Sequence, residues 1–484
     1  MTDIAPVATR VTAPRTVTGR LADLRASRWL PLPVLLAGTC LIVLDFFIVN
    51  VAMPALQREL HAGTSALEWV VAGYGLTFAV FLLAAGRLGD RIGRRRMFGL
   101  GVGVFTAASL ACGLAPSAEV LVLARLVQGL GGAMISPTVL ALLGTLYDGA
   151  DRAKAIGAYA TVMGVAAAGG QLVGGVLLHV DLAGLGWRTV FLINVPVGVL
   201  VLALLRSSVP ASRPTARVRV DVVGLLLATL ALTALVFPLV DDPARGWPVW
   251  SFVSLAAAPL LGADFLLWQR RLVRRGGSPL LVPAWFRERH FSIGMVTQFA
   301  FWCGQASYFL VLALYLQLGR GLTALQAGAV FSVLAAAYLL ASMRSATLVA
   351  RFGRAVVVDG ALALALGHVA TVLAVAEAGG SVLALVPGLL LAGAGMGLCL
   401  APITTIVLTS IDPARAGAVG GLLSTMQQIG NAVGVAVIGL VFFGSADQGY
   451  PHAFALSTGL LAILLCGVAG CARLLPGDQG RDGA

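Results

Sequence analysis

The sequence predicts an all-α polytopic membrane protein, and three observations lead to this prediction. The 484 residues are 59% hydrophobic and only 11% charged, whereas soluble domains carry roughly 25% charged residues. Fourteen apolar runs of roughly 17–27 residues follow one another between Leu32 and Leu474, each long enough to cross about 30 Å of hydrocarbon as a helix. The third observation is that most arginines fall between these runs, where they stay in contact with water.

A short repeat predicts how the fourteen spans are grouped. Arg91–Arg94 reads Arg-Ile-Gly-Arg after the second run, and Arg351–Arg354 reads Arg-Phe-Gly-Arg after the tenth run, eight runs later. If each half has six spans, two spans are inserted between the halves. The predicted segments are an N-terminal tail (1–30), a first half (31–206), a linker (207–221), two extra helices (222–268), a basic loop (269–290), a second half (291–474) and a C-terminal tail (475–484).

The positions of the basic residues predict the orientation of the chain. If the N-terminus is cytoplasmic, 27 of the 33 Lys and Arg residues fall in inner tails and loops, and four fall in outer loops. Basic residues accumulate on the cytoplasmic side of membrane proteins. We therefore expect a multi-pass protein of the cell membrane with both termini inside. The net charge of +12 is then a topology signal facing anionic lipid, and no nucleic-acid partner is expected.

Asp45 is the acid that these spans place near the middle of the bilayer. It lies about 12 residues into the first run, roughly 18 Å from the inner surface at 1.5 Å per residue. A carboxylate there is costly unless it is paired, hydrated or protonated. An acid that takes up and releases a proton at this position would behave as a proton carrier. Arg125 in the fourth run lies at a similar depth, so we expect the two side chains to meet and to control proton release together. A purely structural acid and a helix-packing arginine are the alternatives.

Five local patterns resemble a known family. They are the first-span pattern Leu44–Pro54, the loop Gly86–Arg96, the fourth-span pattern Arg125–Gly129, the glycine-rich pattern Gly170–Gly175, and Trp187–Gly198 around the start of the sixth run. In this order, on fourteen spans, they resemble the fourteen-helix drug:proton antiporter branch of the major facilitator superfamily. The resemblance covers nearly the whole chain and implies the major facilitator fold.

The resemblance also implies roles for particular residues. A gating loop would be formed by Gly86, Gly89, Asp90, Arg91, Gly93 and Arg94, with Asp90 as a latch to the facing half; the alternative is a positively charged anchor. The antiporter motif of the fifth helix corresponds to Gly170, Gln171, Gly174 and Gly175. The family has proline where this chain has Gln171, so a bend in this helix must come from glycine.

The function implied is proton-coupled export of drugs, antibiotics or other amphipathic or cationic small molecules by alternating access. The proton gradient is the expected energy source, without a cofactor, and a monomer is expected. Candidate substrate contacts are polar or aromatic residues on central helices: Phe47, Asn50, Tyr74, Gln128, Gln298, Trp302, Gln305, Gln427 and Asn431. The five histidines lie at loops or helix edges and form no ligand cluster, and no catalytic constellation favours an enzyme. A transporter of a specific metabolite or siderophore and a non-transporting scaffold or sensor remain alternatives.

Overall fold

The computed structural model describes residues 28–211, 221–241, 247–377, 381–409 and 416–475. Within them the chain forms fourteen long helices, numbered here in chain order. They are α1 (Pro31–Glu59), α2 (Thr64–Ile92), α3 (Arg94–Gly113), α4 (Ala118–Leu146), α5 (Gly149–Val180), α6 (Gly186–Ser208), α7 (Val222–Asp241), α8 (Val249–Arg274), α9 (Arg289–Leu314), α10 (Ala324–Phe352), α11 (Ala355–Glu377), α12 (Val386–Thr409), α13 (Ala416–Gly444) and α14 (Tyr450–Ala472).

These helices are long enough and apolar enough to span a membrane. Among the described residues, 13 helices pass this test singly, and α5 adds a fourteenth as two segments that meet at an angle of 44°. The bend separates Lys154–Ala167 from Gly169–Val180, so it occurs without a proline. The predicted all-α membrane fold is confirmed, and the fifth helix bends next to glycine as the sequence required.

The helices pack as two similar halves. In the first half α2 and α3 pack on α4, α5 packs on α1, and α6 packs on both α1 and α3. Each of these pairs recurs eight helices later, with α10 and α11 on α12, α13 on α9, and α14 on α9 and α11. The halves meet where α5 packs on α10 and α2 packs on α13, which are also equivalent pairs. The spacing of the Arg-x-Gly-Arg repeat therefore reflects a repeated six-helix unit.

The repeat has a glycine with positive φ in both halves, and an arginine in it or next to it anchors the turn to the chain just after the last helix of that half. Gly93 between α2 and α3 has φ +96°, and Gly353 between α10 and α11 has φ +55°, a region where a side chain is strained. Arg95 donates a hydrogen bond to the Val209 carbonyl just after α6, at 3.0 Å. Arg354 donates one to the Leu475 carbonyl just after α14, at 2.5 Å. We call this side of the bundle the basic end, and the opposite side, where α1 ends and α2 begins, the far end.

The two extra helices lie at the edge of the bundle. Only 22% and 11% of the most apolar stretches of α7 and α8 are buried, against 61% for α1. α7 packs on α8 and covers α2 and α13 where the two halves meet. Asp221 connects the insertion at the basic end, because its carboxylate accepts hydrogen bonds from Trp268 Nε1 at 2.8 Å and Gln269 Nε2 at 2.6 Å. One carboxylate therefore joins the residue before α7 to the last turns of α8.

Replacing Gly93 by alanine is expected to destabilise the protein by about 1–3 kcal/mol, the usual cost of a strained backbone conformation. The expected signal is a lower melting temperature of the purified protein in detergent. Gly103→Ala is the matched control, because Gly103 lies within α3 and an added methyl group there meets no atom within 4 Å. Equal melting temperatures for the two variants would contradict the strain argument.

Candidate functional site

Asp45 lies at the centre of a buried hydrogen-bond network in the first half. Its side chain is completely buried, and Arg125 Nη1 forms an ion pair with Oδ2. Oδ1 accepts hydrogen bonds from Gln128 Nε2 and from Asn194 Nδ2, both at 2.8 Å. Ser109 Oγ accepts from the same two amides, at 2.7 and 3.2 Å. These five residues form the Asp45 cluster, which joins α1, α3, α4 and α6.

The position of Arg125 is fixed from several sides. Its Nε donates to the Val70 carbonyl of α2 at 2.9 Å, and its Nη1 also reaches Gln128 Oε1 at 2.7 Å. The guanidinium lies over the ring of Tyr74 at 4.3 Å, a cation–π geometry. Its Nη2 has no hydrogen-bond partner. The arginine is thus held by α2 and α4 independently of the charge on Asp45.

The cluster explains how two charges are tolerated in the interior. Removing an ion pair from water is favourable only when the geometry is good and further hydrogen bonds satisfy the remaining polar atoms. Three side chains, Arg125, Gln128 and Asn194, donate to the two Asp45 oxygens. Both Asp45 oxygens are therefore paired, and adding a proton to the carboxylate would remove the charge that Arg125 pairs with.

A central cavity lies between the two halves, next to this cluster. Seven aromatic rings contribute to its wall, among mostly apolar side chains. The lining residues are Ile42, Val43, Phe46, Phe47, Tyr74, Phe78, Ser136, Tyr159, Met163, Ala167, Trp302, Tyr338, Met396, Leu400, Ser424, Gln427, Gln428 and Asn431. An apolar cavity with a few polar groups is typical of a small-molecule site.

Two polar atoms in the cavity wall are buried without a hydrogen-bond partner. They are the indole Nε1 of Trp302, a donor, and Oδ1 of Asn431, an acceptor. Asn431 is oriented by its own Nδ2, which donates to Gln428 Oε1 at 3.1 Å. The cavity therefore offers an occupant one free donor and one free acceptor, both from the second half.

Tyr74 connects the cavity to the Asp45 cluster. Its ring lines the cavity and lies against Arg125, and its hydroxyl donates to the Ile42 carbonyl at 3.4 Å. Asp45 itself does not line the cavity. Movement of this one ring would therefore bring the cavity contents and the ion pair into contact.

Contacts between the halves close the cavity toward the far end. A methyl group added to Gly175 of α5 would lie 2.6 Å from the Ala324 carbonyl oxygen at the start of α10. Gln317, just after α9, donates to the Val51 carbonyl of α1 at 3.1 Å. On the basic-end side of these contacts, the rings of Phe47 and Phe309 lie 4.9 Å apart. The cavity thus lies on the basic-end side of the closure.

The predicted substrate residues divide into two groups. Phe47, Tyr74, Trp302, Gln427 and Asn431 line the cavity. Asn50, Gln128, Gln298 and Gln305 are buried but do not line it. Gln128 completes the Asp45 cluster, and a substrate-binding role of these four residues stays a prediction. The substrate-binding role of the first group stays a prediction.

The glycine motif of α5 provides close contacts of two kinds. Gly170 and Gly174 face α1, where added methyl groups would lie 3.2 Å from the Leu44 carbonyl oxygen and 2.8 Å from Ile48 Cγ1. Gly175 faces α10 of the other half. Gln171 is fully buried, and neither of its amide atoms has a hydrogen-bond partner. The motif therefore joins α5 to both its own half and the facing one.

The gating loop is described only in part. Gly89 is buried near Met97, Gly86 has open space around it, Arg91 is exposed, and Gly93 makes the turn described above. Arg94 donates to the Ala141 carbonyl of α4 at 3.0 Å, within its own half. The side chain of Asp90 lies outside the described residues, so its latch role stays a prediction.

Three features of the interior were missed from the sequence. Ser109 and Asn194 belong to the Asp45 cluster, but neither was predicted as a site residue. A usable signal existed, because both are polar residues within apolar runs and Asn194 falls within the Trp187–Gly198 pattern. His368 was predicted to lie at a helix edge, and this is wrong: it is buried in the middle of α11 and stacks on Tyr308 at 4.0 Å. Glu68 was not singled out and is also buried.

A family model described as Major Facilitator Superfamily matches residues 35–435. The chain belongs to this superfamily. Similar proteins include a probable actinorhodin transporter of Streptomyces coelicolor, 38% identical over 87% of this chain and 73% of that protein. The multidrug resistance protein Stp of Mycobacterium tuberculosis is 37% identical over 84% of this chain and 74% of its own length.

Another major facilitator relative is the methylenomycin A resistance protein of Streptomyces coelicolor, 32% identical over 90% of both chains. Among solved structures, a crystal structure of the peptide transporter POT aligns with a TM-score of 0.66 over 92% of this chain and 96% of that one. Its 17% identity supports the major facilitator fold alone. Family membership makes this chain a transporter and not an enzyme.

Removing Arg125 alone is expected to cost more stability than removing the whole ion pair. Arg125→Met leaves the buried Asp45 charge uncompensated, at a cost of about 3–5 kcal/mol. Combining it with Asp45→Asn removes that charge, so the double variant should recover part of the loss. Unfolding of the purified single and double variants in detergent measures the coupling. Strictly additive losses would contradict a direct charge interaction.

Proposed function

We propose that this protein exports amphipathic, aromatic small molecules of the drug and antibiotic class in exchange for protons. The observation that carries the proposal is the buried Asp45–Arg125 ion pair, which lies against the ring of Tyr74, while the same ring lines an aromatic cavity between the two halves. The named relatives support the export of antibiotics and drugs, since they include an actinorhodin transporter and multidrug and methylenomycin A resistance proteins.

The proposed cycle uses the protonation state of Asp45. With the basic end facing the cytoplasm, substrate enters the cavity from the cytoplasm or inner leaflet while Asp45 is ionised and paired. After the halves close at the basic end and open at the far end, a proton from outside neutralises Asp45 and weakens its hold on Arg125. The substrate leaves, and the return of the halves delivers the proton to the cytoplasm.

The cavity favours flat, largely apolar molecules. Rings from both halves form its walls, and none of the lining residues carries a charge at neutral pH. Aromatic faces attract both aromatic rings and organic cations. Specificity would come from the free Trp302 donor and the free Asn431 acceptor, which match a substrate with a carbonyl or hydroxyl group on one edge.

Replacing Asp45 by asparagine is expected to abolish export driven by a proton gradient. Asparagine keeps the size and the acceptor of the side chain but cannot bind and release a proton, so substrate counterflow without a gradient should survive. Both are measured in proteoliposomes loaded with a fluorescent dye. Asp264→Asn, which changes an exposed acid on α8, is the control and should leave both rates unchanged.

Gradient-driven efflux by the Asp45→Asn protein at the unmodified rate would refute Asp45 as the proton carrier. A protein that moves none of a panel of drugs, dyes and quaternary ammonium compounds, but moves one metabolite or siderophore, would support the metabolite alternative. A protein that moves nothing and tolerates Asp45→Asn in cells would support a scaffold or sensor.

Replacing Trp302 by phenylalanine is expected to raise the KM for substrates with a carbonyl acceptor by about 5–10-fold, with little change for purely apolar dyes. The substitution keeps an aromatic ring and removes the free indole donor, which corresponds to the loss of about 1–1.5 kcal/mol of hydrogen bonding. Trp285→Phe is the control, because Trp285 lies outside the cavity lining. Equal changes for both substrate classes would show that only the ring matters.

A further inference from the structure

A second buried carboxylate lies in the contact surface between the two halves. Glu68, in the first turns of α2, is 2% exposed, and its Oε2 has no hydrogen-bond partner. It faces Gly439 of α13, where an added methyl group would lie 2.8 Å from Cδ of Glu68. Glycine at this position leaves the room that the carboxyl group occupies. We call the α2–α13 contact around Glu68 and Gly439 the seam.

No described positive charge compensates Glu68. α13 contains no titratable residue between Ala416 and Gly444, and α7, which covers the seam from the side, contains none between Val222 and Val240. On the other elements packed around α2, Arg125 is bonded to Asp45 and to the Val70 carbonyl, and Arg58 donates to the Pro54 carbonyl. Beyond these, titratable side chains at the far end include Glu59, His61 and Glu119 near the ends of α1 and α4, and Asp447, Tyr450 and His452 just after α13.

This environment determines the protonation state that fits the closed seam. An ionised carboxylate without a partner cation is strongly disfavoured in a low-dielectric interior, whereas a protonated carboxyl group carries only the much smaller cost of burying a neutral polar group. The neighbouring Trp69 packs on Phe237 of α7, with ring centres 5.6 Å apart, which keeps the lipid side of the seam covered. Glu68 therefore fits the closed far end only as a neutral acid.

We propose that Glu68 is a second proton-binding site, which latches the far end of the transporter shut. When the halves separate at this end, Glu68 faces water and releases its proton there. The seam closes again only after the carboxylate has taken a proton back from the same side. This inference rests on the alternating access of the proposed function and adds a residue that nothing in the family match or the relatives' names assigns.

The latch differs from the carrier role of Asp45 in its proton balance. The Glu68 proton leaves and returns on the far side, so it adds nothing to the number of protons moved per substrate. Its effect is on the conformational equilibrium. A neutral Glu68 favours closure and an ionised one opposes it, so acid at the far end drives the return step.

The test measures opening of the far end as a function of pH. Spin labels are placed on Gly63→Cys and Gln448→Cys, two exposed positions on opposite sides of the seam, in a protein whose native cysteines are replaced. Distances are recorded in proteoliposomes between about pH 5 and about pH 9, a range that brackets perturbed carboxyl groups. The measurement is made with native Asp45 and again with Asp45→Asn.

With native Glu68, the long-distance population is expected to grow as the pH rises, in both backgrounds. Glu68→Gln and Glu68→Met, which are neutral at every pH, should both keep the short distance at all pH values in the Asp45→Asn background. Glu119→Gln is the matched control, since it changes an exposed acid at the same end, and it should retain the pH response.

Three outcomes would overturn the latch. One is an unchanged pH response in both Glu68 variants; another is loss of the response in Glu119→Gln as well. The third is a drop in protons moved per substrate in Glu68→Gln, which would make Glu68 a carrier. Failure of the proposed function is distinguishable, because it appears as unchanged gradient-driven export by Asp45→Asn while the seam still responds to pH through Glu68.

Discussion

The ion pair between Asp45 and Arg125 is the interaction on which the organisation of the first half depends. Two charges inside a membrane bundle require hydrogen-bond partners from the protein itself, because hydrocarbon supplies none. The chain meets this requirement with Gln128 and Asn194 donating to Asp45, and with a backbone carbonyl of α2 accepting from Arg125. Four helices are therefore positioned by one carboxylate and its partner.

The same requirement explains the separation between the charged site and the substrate cavity. A substrate cavity lined by aromatic rings suits apolar molecules, whereas a proton carrier needs a polar surrounding that changes when the charge is lost. Tyr74 satisfies both conditions, because one face of its ring supports the guanidinium and the ring also lines the cavity. Under the proposed function, coupling between substrate and proton then needs no direct contact between them.

The second half has no equivalent ion pair among its described residues, although it repeats the helix packing of the first. In the second half, the buried side chain of His368 on α11 stacks on Tyr308 of α9 instead. The two halves thus share a backbone plan and differ in chemistry, with charge in the first and neutral aromatic contacts in the second. Glu68 adds a charge-dependent group at the contact between them, so each half has a separate part in the cycle.

The sequence by itself determined the membrane-spanning fold, and it predicted the six-two-six grouping and the pairing of Asp45 with Arg125 that the structure contains. These follow from local physics, since a run of about 20 apolar residues, a glycine-centred turn and an acid within hydrocarbon are each recognisable without knowing what lies next to them. The superfamily match agrees with the predicted membrane-transporter fold. The bend of α5 was expected from the family resemblance, and the sequence added that glycine must supply it, because the chain has Gln171 where the family has proline.

Only the tertiary structure decided which polar residues face the cavity and which face a neighbouring helix. Gln298 and Trp302 lie one turn apart on α9, yet Trp302 lines the cavity and Gln298 does not. In a helix that is apolar all round, periodicity does not distinguish the buried faces from one another. Glu68 was hidden for the same reason: its meaning depends on Gly439, 371 positions later in the chain, and only the packing of α2 on α13 brings the two together.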